Sequence, residues 1–255
     1  MRTYRTKANL FYTSRVFAFS LVIISVVSSW AVKASDIYVQ VQHFNEAGLI
    51  FTGNISDDQQ SSDGHDAMFF YELGLKADRA GKYQDAVAAF QRAILLKPDF
   101  AEAYNNLGFS YYSIGENRKA LEAIRHAILI DPEMGVAFSN LGNVNIALGH
   151  NKQAISLFKE ALRLGLNDAV THCSLGVAHY RAKHYREAAE SFRTAITLNA
   201  EYAVAHFNLG ATYWALKNRE LALEQHAWLK EVSPSLAAAF LNGINRKRLL
   251  VLNPT

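Results

Sequence analysis

Apolar residues recur in the chain from residue 67 onward at intervals of three, four and seven positions. This spacing lines one face of an α-helix. Phe70, Leu73 and Ala77 form the first such face, and residues 86–93 supply a second one after a short polar stretch. The same alternation continues almost to the end of the chain, so the pattern predicts a series of amphipathic helices.

The helical pattern repeats with a period of 34 residues. A Leu-Gly pair marks every copy, at Leu73-Gly74, Leu107-Gly108, Leu141-Gly142, Leu175-Gly176 and Leu209-Gly210. Alanine follows each glycine by twelve positions, at Ala86, Ala120, Ala154, Ala188 and Ala222. A second alanine column stands seven positions further on, at Ala93, Ala127, Ala161 and Ala195. A fixed period of this size indicates that similar units stack on one another.

Each unit has the features of a helical hairpin. A glycine stands in the turn between the two helices of three units, where a helix C-terminus favours it, at Gly81, Gly115 and Gly149. Proline, which lacks an N–H and clashes with the preceding turn, closes three units at Pro98, Pro132 and Pro234. A hairpin of this size cannot bury a core of its own, so the units must pack against their neighbours.

These columns resemble those of the tetratricopeptide repeat family, as does the aromatic residue that precedes the leucine by three positions in the first three units. The resemblance covers residues 67–236. It implies an all-α fold, a right-handed superhelical solenoid of five hairpins. The units are residues 67–100, 101–134, 135–168, 169–202 and 203–236. Residues 237–255 are expected to form a C-terminal capping helix and tail, which cover the apolar end of the stack.

The N-terminal segment, residues 1–34, has the composition of a targeting sequence. It carries five Lys or Arg residues and no acidic residue, and residues 16–27 are an apolar run. Of the 26 basic residues in the chain, 21 therefore lie in residues 35–255 with all 23 acidic ones, a net charge of −2. The basic pI of the whole chain thus reflects this segment, and we expect no nucleic-acid partner. Residues 35–66 are predicted to be a leader and flexible linker.

Three interpretations of residues 1–34 remain open. Cleavage after Ala34 would export the protein to the periplasm or the medium, and this interpretation is preferred. Retention of residues 16–32 would tether the array to a membrane, outside the cytoplasm, since the upstream Lys and Arg residues stay inside. The acid-free, Arg-containing first fifteen residues also fit a mitochondrial presequence.

The repeated columns also account for the residues that could suggest chemistry. The sequence contains no phosphate-binding glycine loop, no nucleophile elbow and no metalloprotease motif. His172 and His206 occupy the aromatic column of Phe70 and Tyr104, so they are interpreted as packing residues, and Cys173 has no second cysteine to pair with. We expect no enzymatic activity, no cofactor and no metal.

The resemblance implies that the first helix of each hairpin lines a concave groove that binds peptides. The residue before each Leu-Gly pair is Glu72, Asn106, Asn140, Ser174 and Asn208. A side-chain amide carries both donors and an acceptor, so stacked Asn residues can hold an extended peptide backbone. The alternative is that they bond a neighbouring helix. Beside this column are residues of the types that interfaces favour, Phe109, Tyr112, Asn143, Tyr180, Arg181 and Trp214.

Two functions are therefore considered. The first is a non-enzymatic scaffold of the cell envelope, which binds an extended peptide or partner protein in its concave groove. The second is a membrane-tethered assembly factor that associates with itself through the array. The sequence leaves the partner, the pathway and the oligomeric state open.

Overall fold

The computed structural model describes residues 66–245 and 251–254. The predicted targeting segment and all but the last residue of the predicted linker lie outside these residues. Regular structure in the described part is entirely α-helical, in eleven helices. In chain order they are α1 (Ala67–Arg79), α2 (Tyr83–Leu96), α3 (Ala101–Ser113), α4 (Asn117–Ile130), α5 (Gly135–Ala147), α6 (Asn151–Arg163), α7 (Ala169–Arg181), α8 (Tyr185–Leu198), α9 (Ala203–Ala215), α10 (Arg219–Val232) and α11 (Pro234–Asn245). None of them is long and apolar enough to cross a bilayer.

The first ten helices form five hairpins, which confirms the predicted all-α superhelical solenoid. The first helices of the hairpins are α1, α3, α5, α7 and α9, and the second helices are α2, α4, α6, α8 and α10. Successive first helices contact one another directly, whereas successive second helices make no comparable contact among the described residues. The first helices therefore lie on the inner side of the stack, and we call the surface that they form the groove.

Each of the first four hairpins is held together by a close contact between the glycine of the Leu-Gly pair and a bulky residue of the second helix. Phe90, Phe158 and Phe192 are fully buried in this position. A Cβ atom built on Gly142 would lie 2.7 Å from ring atoms of Phe158, and one built on Gly176 would lie 2.5 Å from the ring of Phe192. Only glycine allows the two helices to approach this closely.

The fifth hairpin obtains its bulky residue from the next helix. His226 of α10 stands at the position that Phe90, Phe158 and Phe192 occupy in their repeats. A Cβ on Gly210, however, would lie 2.8 Å from the ring of Phe240 in α11. Phe240 is fully buried and contacts Phe207 edge to face. Helix α11 therefore caps the stack by supplying the side chain that the last unit lacks.

The leucine of the Leu-Gly pair packs between repeats. In the second to fifth repeats it is buried, at 3–7% exposure, whereas Leu73 of the first repeat is 45% exposed. The sequence pattern places all five leucines on the apolar face of their helices. Leu73 differs because no repeat precedes it in the described residues, so its side chain lies at the end of the stack.

The turn between the two helices needs a left-handed residue in every repeat. Gly81, Gly115 and Gly149 have φ values of 70°, 84° and 80°, as their positions predict. Lys183 and Lys217 occupy the same position in the fourth and fifth repeats, with φ values of 65° and 63°. A left-handed conformation is costly for a residue with a Cβ atom. The last two hairpins therefore hold backbone strain that the first three avoid.

We expect Gly142→Ala to lower the free energy of unfolding by about 1–3 kcal/mol, because the added methyl group overpacks the contact with Phe158. Urea unfolding followed by circular dichroism measures the change. The double variant with Phe158→Leu, which makes room for the methyl group, should lose less than the sum of the two single losses. Strict additivity would contradict the contact.

We expect Lys183→Gly to raise the free energy of unfolding by about 0.5–1 kcal/mol, since glycine adopts the left-handed conformation without a steric cost but loses more backbone entropy. Gly149→Lys is the reciprocal control and should lower it by a similar amount. The same urea titration measures both. Destabilisation by Lys183→Gly would show that the lysine side chain, not the turn geometry, matters there.

Candidate functional site

The residues that precede the Leu-Gly pairs lie on the five first helices, facing the groove. Asn106 and Asn140 are half-buried, whereas Ser174 and Asn208 are buried. Glu72, in the first repeat, is exposed. The hydroxyl of Ser174 makes no hydrogen bond to any described residue.

The three asparagines of this column make equivalent bonds to the preceding repeat. The Nδ2 group of Asn106 donates to the hydroxyl of Tyr71 at 3.0 Å, and that of Asn140 donates to Oδ1 of Asn105 at 2.9 Å. Nδ2 of Asn208 lies 3.7 Å from the sulfur of Cys173. In each case the partner stands 35 positions earlier in the chain. The amides are therefore fixed by the neighbouring first helix, which was the alternative role considered for them.

This anchoring leaves polar groups of each amide available, because an amide has two N–H donors and an acceptor oxygen. No hydrogen bond among the described residues uses Oδ1 of Asn140. Oδ1 of Asn106 accepts a long bond of 3.3 Å from Asn105. Asn105 thus connects Asn106 and Asn140 into one chain of amides.

At Asn208 the available groups hold a main chain. Its Oδ1 accepts the backbone N–H of Leu252 at 2.6 Å, and its Nδ2 donates to the backbone carbonyl of Leu252 at 2.8 Å. Leu252 belongs to residues 251–254, a non-helical stretch that we call the tail segment. Both polar groups of one peptide residue are therefore satisfied by one side chain, and no feature of the leucine side chain is needed for these bonds.

Two further contacts fix the tail segment. Val251 is 8% exposed and belongs to the apolar cluster that contains Cys173, Leu175 and Leu209. Asn253 accepts a hydrogen bond through its Oδ1 from Nη2 of Arg181 at 3.0 Å. Nη1 of the same arginine donates to the carbonyl of Ile146 at 3.1 Å. The bond to the end of α5 thus orients the guanidinium that contacts the tail segment.

The other predicted residues fall into two groups. Phe109, Tyr112, Asn140 and Asn143 line one small cavity between the second and third repeats. Phe109 remains 37% exposed there. The remaining two contact second helices: Tyr180 packs edge to face on Tyr185, and Trp214 lies beneath the guanidinium of Arg219.

The histidines and the cysteine of this region occupy packing positions. His206 stacks on Trp228 with ring centroids 3.6 Å apart. Burial lowers the pKa of His172 and of His179. Burial also raises the pKa of the Cys173 thiol to about 12, so it stays neutral and poorly nucleophilic near neutral pH. The described residues contain no cluster of metal-binding side chains.

Sequence reasoning did not identify Tyr71, Asn105, Leu252 and Asn253 as parts of this site. The partners of the amides could have been found from the period, since they stand one residue before the Asn column of the preceding repeat. The tail segment gave a weaker signal, an apolar stretch at residues 249–252 after the basic residues 246–248.

Comparisons with known proteins agree with this architecture. Models of the tetratricopeptide repeat match residues 79–115, 101–134, 137–165 and 173–227. The described array is therefore built of tetratricopeptide repeats. Among curated proteins, none matches this chain.

Three solved structures illustrate the likeness of fold. A thermophilic tetratricopeptide repeat protein from Thermus thermophilus is 22% identical, with a TM-score of 0.60 over 70% of this chain and 99% of its own. MamA is 20% identical, with a TM-score of 0.55 over 68% of this chain and 97% of its own. YrrB, described as a repeat protein with an unusual peptide-binding site, is 22% identical, with a TM-score of 0.57 over 80% of this chain and 97% of its own.

Proposed function

We propose that the array is a non-enzymatic scaffold that binds an extended segment of a partner protein in its groove. The observation that carries this proposal is the pair of hydrogen bonds, at 2.6 and 2.8 Å, between the Asn208 amide and the main chain of Leu252. Such bonds recognise any residue except proline, which lacks the N–H. A groove that offers them is suited to a peptide.

The fixed orientation of the amides supports the same function. Because each Nδ2 group is bonded to the preceding repeat, the amide loses little conformational freedom when it binds a ligand. Preorganisation of this kind favours affinity by lowering the entropic cost of binding.

The groove has room for a longer segment than the four residues of the tail segment. Packed helices lie about 8–10 Å apart, and an extended chain advances about 3.3 Å per residue. Consecutive repeats therefore correspond to about three ligand residues. A segment that reached from Asn208 to Asn106, three repeats away, would need about ten residues, and its side chains would pass the cavity lined by Phe109 and Tyr112. Those aromatic residues would select the partner.

The cellular setting is part of the proposal. The basic and apolar composition of residues 1–34 supports export to the cell envelope, so the partner is expected there. N-terminal sequencing of the mature protein distinguishes a start at Ser35 from a retained anchor that begins at Met1.

A second candidate function is supported by one specific observation. The segment that occupies the groove comes from this chain, and a neighbouring copy carries the same segment. A membrane-tethered factor that associates with itself could use it to link copies. Sedimentation of the full chain at several concentrations separates the two functions, because only the second predicts concentration-dependent oligomers.

The scaffold function predicts the effect of removing the groove amides. Peptides are selected from a random display library on the Leu252→Pro chain, in which the tail segment no longer has the N–H that Asn208 accepts. They should bind the same chain with Asn140→Ala/Asn208→Ala about ten- to a thousandfold more weakly, because about three net hydrogen bonds are lost and each contributes about 0.5–1.5 kcal/mol. Fluorescence anisotropy with one labelled selected peptide measures the change. The loss should be similar for peptides of different sequence.

Two controls interpret the result. Asn117→Ala, at the start of second helix α4, removes an amide away from the groove and should leave binding unchanged. Phe109→Ala/Tyr112→Ala should instead change which peptides are selected. Undiminished binding by a folded Asn140→Ala/Asn208→Ala variant would exclude the groove, as would a library that yields no binder.

A further inference from the structure

The tail segment occupies the groove in the way that a bound peptide would. It makes three separate kinds of contact at the fourth and fifth repeats. Val251 is an apolar anchor, Leu252 is held through its main chain by Asn208, and Asn253 is held through its side chain by Arg181. A partner segment that used the same site would have to meet the same three requirements and would have to replace the tail segment.

The apolar anchor is the part of the tail segment that is most enclosed. Val251 is 8% exposed, within a cluster that includes Leu175 and Leu209, whereas Leu252 is half-buried and Asn253 is exposed. The site therefore requires an apolar residue at the first position. It places no comparable demand on the second residue, which it holds by the main chain.

At the third position of the tail segment, a cationic side chain of the groove contacts an uncharged one. Arg181 is a permanent cation, and neither of its contacts is charged, since Nη1 bonds a backbone carbonyl and Nη2 bonds the amide oxygen of Asn253. The ion pairs among the described residues, Glu116 with Lys119 and Glu160 with Arg163, do not involve it. A carboxylate in place of the Asn253 amide would make a charge-assisted hydrogen bond, which is the stronger kind.

We propose that residues 251–254 are a resident, low-affinity occupant of the groove, and that the partner is an extended segment with an acidic residue two positions after an apolar anchor, which displaces them. This proposal rests on the proposed peptide-binding function and adds to it a ligand pattern and a form of control. A segment that binds weakly, or that lacks this pattern, does not displace the tail segment, because the tail segment is tethered to the same chain.

The strength of this competition follows from the tether. A segment on the same chain is present at an effective concentration of about millimolar. A tail segment whose own dissociation constant is about 100 micromolar or lower then weakens any free peptide at least about tenfold, whatever the intrinsic affinity of that peptide. Loss of the tail contacts should restore the intrinsic affinity.

The test uses full-length chains and two labelled peptides. One peptide has the sequence of residues 249–255, and the other carries Asn253→Asp. The chains are wild type, Leu252→Pro, Arg181→Gln and Pro254→Ala. Leu252→Pro removes the N–H that Asn208 accepts. Arg181→Gln removes the positive charge but retains an N–H donor, and Pro254→Ala leaves every described contact of the tail segment in place.

We expect wild type and Pro254→Ala to bind the acidic peptide about three- to tenfold more tightly than the amide peptide, a preference that added salt reduces. Leu252→Pro should bind both peptides at least about tenfold more tightly than wild type. Arg181→Gln should bind the two peptides equally. Thermal unfolding of each chain establishes that the array remains folded.

Each failure has a separate meaning. Equal affinities of wild type and Leu252→Pro would overturn the resident tail while leaving peptide binding intact, and equal binding of the two peptides by wild type would overturn the acidic preference. If the wild type forms a dimer and Leu252→Pro is a monomer, the tail segment lies in the groove of a neighbouring copy. That result would overturn competition by the tail of the same chain. A Leu252→Pro chain that melts early and binds neither peptide would make the tail segment a permanent structural element. If no folded chain binds either peptide, the proposed function fails as well.

Discussion

The structure depends on the contact between the glycine of each first helix and a bulky side chain packed against it. Ring atoms of Phe90, Phe158 and Phe192 lie only 2.5–2.7 Å from where a Cβ atom of the glycine would stand, so this contact fixes both the distance between the helices and their rotation. Successive residues of an α-helix are rotated by about 100°. The residue two positions before the glycine is therefore on nearly the opposite face. That residue is the asparagine of the groove column, so the packing that builds each hairpin also orients its groove side chain.

The groove amides have a structural role, and the binding role that we propose for them is compatible with it. One N–H of each amide is bonded to the preceding repeat, to Tyr71, Asn105 or Cys173. At Asn208 the rest of the amide holds a main chain. The two roles are compatible because an amide has more hydrogen-bonding groups than either role requires. The structure shows the bond to a neighbouring helix, and the peptide ladder stays a prediction that this bond does not exclude.

The fold followed from the sequence because the Leu-Gly pair and the first alanine column recur five times, and each column has one physical cause. Features that break the period were harder to foresee. Lys183 and Lys217 take a left-handed conformation that their residue type disfavours. Phe240 packs against Gly210, although the residue of the fifth repeat that corresponds to the other bulky side chains is His226. The contact of Leu252 with Asn208 spans 44 positions, and no local pattern encodes a contact between residues so far apart. Repeated local spacing predicted the solenoid, but not the segment that occupies its groove.

The central claim is that a groove asparagine holds a non-helical main chain through both of its polar groups. Hydrogen exchange of backbone amides, resolved by nuclear magnetic resonance on the full chain, tests this most directly. The N–H of Leu252, bonded to Asn208 at 2.6 Å, should exchange about tenfold or more slowly than in an unstructured peptide. Asn208→Ala should abolish this protection while the helical amides of the fourth and fifth repeats remain protected. Exchange of the Leu252 amide at the unstructured rate in the wild-type array would contradict the claim.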